Sequence, residues 1–172
     1  MTQPTPLTQP RPATPDQAHA HSLMLAAEAV LATQSGRAPY RVTQVSLQGG
    51  VTYALDLDPW ALKGNRSLLE DAILIGFAAP VVAELSGQPQ PGAGGPRAPR
   101  TLAMESLIEA EELEVMDAYL TVLRAHCQVA LRRAWAEVQV VAAGLREHGT
   151  LDHEAVAYRL RCAQGIRSTL LN

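Results

Sequence analysis

The chain has 172 residues, 47% hydrophobic but only 4% aromatic, so it can bury one sizeable core built from Leu, Val, Ile and Ala. Its formal net charge of −3 is dispersed along the sequence, which excludes a general electrostatic pull on nucleic acid or anionic membrane. The longest uncharged apolar run, Ala72 to Ala83, is interrupted by Gly76 and Pro80 and falls short of the ~20 residues of a membrane span; with no secretory signal at the start, the expectation is a cytoplasmic protein.

Residues 1–15 are rich in Pro, Thr and Gln and read as a disordered tail, leaving 16–172 as one domain. Asp16 is placed to cap a helix reaching about Gln34, with Leu23, Ala26, Ala27, Val30 and Leu31 on one face and Gly36 at its exit. From Arg41 the apolar period changes to two. Val42, Val45 and Leu47 lead to Gly49-Gly50, and Val51, Tyr53, Leu55 and Leu57 follow, which predicts a β-hairpin. Asp58 and Pro59 begin a loop that closes at Asn65 and Ser67, where Ser67 and Glu70 stand at capping-box spacing. The next helix, Leu68 to about Leu85, is apolar around most of its circumference; Gly76 would admit a neighbouring helix and Pro80 would kink the chain.

Residues 87–99 are dense in Gly and Pro and predict a flexible loop. Thr101 then opens the longest helical run, to about His148, with a break near the acidic cluster at Glu114. Its seam is Met116, Leu120, Leu123, Cys127, Leu131, Ala134, Val138, Val141 and Leu145. After Gly149, Asp152 caps a last helix through Ala157, Leu160 and Ile166. The fold class is therefore mainly α with one small β-hairpin. Cys127 and Cys162 sit among apolar neighbours and read as reduced thiols used as small hydrophobes.

Chemistry is sparse. A zinc-peptidase helix needs His at i and i+4 with Glu beside the first, and the nearest string, His153-Glu154-Ala155-Val156-Ala157, has Ala where the second ligand belongs. His19 and His21 flank Ala20 and cannot share a helical face. No serine or cysteine lies in a nucleophile elbow, and Gly92-Ala93-Gly94-Gly95 is followed by Pro-Arg, which is not a phosphate loop. The arginines of the long run and the C-terminus lack the interleaved aromatics of a nucleic-acid surface, and Trp60 and Trp135 read as core edges.

The order of elements nevertheless resembles the peptidase domain of FtsH-type ATP-dependent zinc metallopeptidases. Ala18 to Ala32 is similar to that family's metal-binding helix, Arg41-Val42-Thr43 to its first strand, and Val51-Thr52-Tyr53-Ala54-Leu55 to its second. Leu68 through Gly76 to Ala83-Glu84-Leu85 is similar to its Leu-rich helix, Ser106 to Leu113 to the helix of its third ligand, and Thr150-Leu151-Asp152 to a Thr-Leu-Asp helix start. The resemblance implies a helical FtsH-peptidase-like domain whose zinc site is lost: His21 stands at the first ligand, Ser22 at the general base, Leu25 at the second ligand and Ser106 at the third. The family's ATPase module has no room in 172 residues.

The expectation is thus a stand-alone, non-catalytic binding, scaffold or regulatory protein with no cofactor and no metal. Its partner would be another protein or, as the family's hexameric rings imply, a further copy of itself. The first alternative is a metallopeptidase-like hydrolase using His19, His21 and Glu28 or Glu105 around a non-standard metal. The second is a helical nucleic-acid-binding stress-response module, although nucleic acid is not the expected partner.

Overall fold

A computed structural model describes residues 15–88, 97–107 and 109–170. It is mainly helical with a small antiparallel sheet. The predicted tail falls almost wholly outside the described residues, as does most of the predicted 87–99 loop.

Helix α1, Pro15–Ser35, is the centre of the fold. The sequence shows an apolar stripe on one face, yet Ala20, Ser22, Leu23, Leu25, Ala26, Ala27, Ala29, Val30, Leu31 and Ala32 are all buried, which encloses the helix on most sides. Alanine at so many of these positions lets neighbouring helices approach closely. Asp16 lies in the first turn of α1 rather than ahead of it. After a short 3-10 turn, strands β1 (Val42–Ser46) and β2 (Gly50–Tyr53) form the predicted hairpin, with Gly50 at φ 75° in its turn. A third strand, β3 (Thr150–Asp152), pairs with the other edge of β1, Leu151 opposite Val45, so the sheet order is β2-β1-β3. The segment expected as a helix start is therefore both strand and cap: Asp152 Oδ1 accepts the Ala155 amide at 2.8 Å as the chain enters α9 (His153–Leu170).

The predicted loop after Asp58 holds a helix, α2 (Pro59–Gly64), with Asp58 accepting the Trp60 amide. The cap of α3 (Arg66–Gly76) is Asn65, whose side chain accepts the Leu68 amide at 3.0 Å; Ser67 lies inside the helix and its hydroxyl accepts from Arg37. The expected single helix to Leu85 breaks at Phe77 into α3 and α4 (Ala78–Leu85). Pro80 has no amide hydrogen to give the Gly76 carbonyl, which places the break directly after Gly76 rather than a turn later. Gly76 does admit a close neighbour, but that neighbour is the chain entering the next helix: a Cβ there would lie 2.7 Å from the Arg97 carbonyl oxygen.

The long run is not one helix. It is α5 (Pro99–Ser106), α6 (Ala110–Glu114), α7 (Met116–Arg133) and α8 (Trp135–His148). Pro99, not Thr101, opens α5. The break at Val115 falls where the acidic cluster predicts it, whereas the break at Ala134 has no Gly or Pro to announce it. Its physical reason is tertiary: α7 packs on α3 and α4, α8 packs on α1 and α9, and the bend keeps Leu131, Ala134 and Val138 buried against both sets of neighbours. One contiguous core joins these elements, with α6 alone contributing no buried residue.

Candidate functional site

His21 is exposed on α1, and its Nε2–H donates to the Leu47 carbonyl at 2.9 Å, tying the helix to the end of β1. The Ser22 side chain is buried; it donates to the His19 carbonyl at 2.7 Å and accepts from Arg146 at 3.1 Å. Leu25 belongs to the core. Ser106 is buried at the end of α5, a helix that packs on α3, α2 and α7. These side chains perform packing and helix-tethering roles, and they do not fit a zinc ion. Among the described residues no three His, Cys, Asp or Glu side chains are placed to share a metal, so His19, His21 and either Glu28 or Glu105 do not form the alternative centre. His153 has a structural role that the sequence did not suggest: its Nδ1 bonds the Val42 carbonyl at 2.8 Å and fastens α9 to the sheet.

The polar groups that do converge lie elsewhere, in a cleft of about 930 Å3 between the hairpin, α1, the α3–α4 break, the start of α5 and α7. Each wall follows from local sequence. The short side of β2 is set by the glycine turn, and Val51, Tyr53 and Leu55 point along it. The helix break at Gly76 and Phe77 opens the floor, and Gly76 allows the backbone at Arg97 to lie against it. Leu120, Thr121 and Arg124 of α7 form the far wall.

At the inner end, the Tyr53 hydroxyl donates to Glu28 Oε1 at 2.7 Å. The Arg97 guanidinium lies 4.7 Å over the Tyr53 ring and 4.0 Å from the same carboxylate oxygen. Tyr40 meets Tyr53 edge to face at 6.2 Å and donates to the Leu68 carbonyl at 3.2 Å. Burial raises the Glu28 carboxyl above its ordinary value, against the lowering pull of the Tyr53 hydrogen bond and of Arg97. The Tyr53 and Tyr40 hydroxyls are raised too, chiefly by burial, and stay protonated donors. Further out, Arg100 pairs with Asp117 at 2.5 Å and Arg124 with Glu84 at 2.6 Å.

No family model matches this sequence, and no curated protein does either. What the cleft can do is therefore read from its own chemistry. It is apolar along its length, closed at one end by an aromatic and ionic cluster, and rimmed by arginines. Along one side runs β2, an edge strand with no described strand on its far side. An edge strand beside an apolar cleft has the features that extended chain requires: unpaired edge backbone groups to hydrogen-bond and an apolar floor for side chains.

Sequence reasoning singled out Glu28 only as a possible metal ligand and missed Tyr53 and Arg97. One signal was available, a carboxylate flanked by Ala, Val and Leu in a helix whose other residues there are almost all apolar. Trp60, read as a core edge, is 77% exposed beside Lys63, whereas Trp135 does pack against the core. Cys127 is buried with its thiol pushed up to about 12 by desolvation, and both cysteines are free. No described helix is long and apolar enough to cross a membrane.

Proposed function

We propose that this protein is an inactive relative of FtsH-type peptidase domains that works by binding, and that its cleft takes an extended segment of a partner protein alongside β2. The observation that carries this reading is the free edge of β2 bordering an apolar cleft, with Leu55 57% exposed at its mouth. Supporting the kinship is the order of elements, a central helix, a hairpin, an apolar helix broken after a glycine, and long helices behind. Supporting the absence of hydrolysis are Ser22 and Leu25, both buried where a base and a second ligand would have to face solvent. Free cysteines, one of them deep in the core, fit a reducing cytoplasm.

The test uses the full chain. Random peptides are selected on the immobilised protein, and the amide shifts caused by the best binder are mapped by NMR. The expected result is a set of shifts along 50–55 and 97–102, and Leu55→Asp, at an exposed position, weakens the peptide at least about tenfold without lowering the melting temperature. Shifts confined to another surface, or no retained peptide, would overturn the cleft assignment. Zinc content of the dialysed protein is the companion measurement. Less than about a tenth of an equivalent is expected, and close to one equivalent would overturn the reading of a lost metal site.

A further inference from the structure

Helix α7 carries two apolar stripes. One, through Leu120, Leu123, Cys127 and Leu131, is buried in the core. The other consists of Val115, Ala118, Val122, Ala125 and Val129 and is exposed throughout, with the three valines at 58%, 52% and 45%. A helix at the surface of a domain needs one buried stripe and has no use for a second. Scattered apolar residues on a surface are ordinary, but these recur at steps of three and four in a heptad register, the pattern of a helix-to-helix seam. Val115 belongs to it because its carbonyl already accepts the Tyr119 amide at 3.0 Å as the first helical turn closes.

We propose that a second copy of this chain docks on this seam, with the two α7 helices antiparallel. The alternation of sizes supports the choice of occupant and its direction. Valine fills one position of the repeat and alanine the other. When two such helices lie antiparallel about a midpoint between Leu123 and Arg124, Val122 of each comes level with Ala125 of the other, and Val129 with Ala118. Every such layer then sets a branched side chain against a methyl, which lets the helices close evenly. A parallel pair would set Val on Val and Ala on Ala, alternating tight and empty layers. Charge points the same way. The approach to α7 is acidic at Glu111 and Glu114 and its last turn is basic at Arg132, so antiparallel pairing brings opposite signs together and parallel pairing brings like signs together. The seam is on the outer face of α7, and the proposal does not depend on what the cleft binds.

Sedimentation equilibrium of the full chain tests it. The expected species is a dimer. Val122→Glu places two carboxylates in the central layers and should weaken the dimer at least about a hundredfold, with Ala125→Glu doing the same. Because both positions are exposed, the melting temperature of the monomer should hold, and circular dichroism checks that each variant is folded. Direction is read by charge exchange: Arg132→Glu weakens association, and adding Glu114→Arg restores it only if the acidic start of one helix meets the basic end of the other. A chain that remains monomeric at about 100 μM overturns the proposal, as does a dimer or larger ring indifferent to Val122→Glu. Failure of the exchange to restore association overturns the antiparallel direction.

Discussion

Glu28 shows how one side chain can be both a cost and a marker. Its carboxyl is drawn into the cleft by Tyr53, and desolvation there favours the protonated form. A carboxyl whose value is raised on folding binds its proton more tightly in the native state than in the unfolded one, so its contribution to stability is greatest at low pH. That contribution is lost as the pH rises from the ordinary glutamate value of 4.5 through the raised native value. Glu28→Gln keeps an acceptor for the Tyr53 hydroxyl and removes the titration. Chemical denaturation across pH 4 to 8 should therefore show the wild type losing stability relative to the variant as pH increases, and equal slopes would remove the effect. At this scale the sequence was legible where a residue acts through its neighbours in the chain: Asp152 was read as a helix cap and is one. It misled where two local partners compete. Asn65 and Ser67 are both of the residue types that cap helices, but Asn65 is the cap, while Arg37, distant in sequence, engages Ser67 and Asp71 together.

Between elements, the decisive feature is the contact of the α3–α4 break with the start of α5. Gly76 is held against the Arg97 carbonyl and the Pro99 ring, the latter 3.3 Å from where a Cβ would stand. The obstacle at Arg97 is backbone, which cannot rotate aside as a side-chain end can. Gly76→Ala should therefore destabilise the protein by about 1 to 3 kcal/mol, despite alanine's better helix propensity. The denaturant midpoint should fall with the slope unchanged; no change in midpoint would mean that the α5 entry is not fixed there. Periodicity correctly announced the hairpin, since alternation and a glycine pair are local properties of the backbone. It could not announce β3, three residues long and stabilised by pairing with a strand about a hundred positions earlier. Nor could it divide α7 from α8: the seam runs through Ala134 uninterrupted, and only the different neighbours of the two halves require the bend.

Across the whole molecule, the core is continuous and Leu131 stands fully buried in it near the junction of α7 and α8. Leu131→Ala should cost about 2 to 5 kcal/mol through lost transfer energy and the cavity left behind. Unfolding followed by circular dichroism and by tryptophan fluorescence should still give one coincident transition; a separate transition in either probe would show that α8 and α9 form an independent unit. The long run after Thr101 dominates the sequence, yet α1 is what the other elements surround, because its many alanines bury at little volume and let several neighbours approach at once. The sequence by itself determined the helical class and the hairpin, both of which depend on residue type and spacing along a few turns of chain. Only the tertiary structure decided which helix is central, added the third strand, and gathered Glu28, Tyr53 and Arg97 at one cleft, because those contacts join residues whose separation along the chain carries no periodic signal.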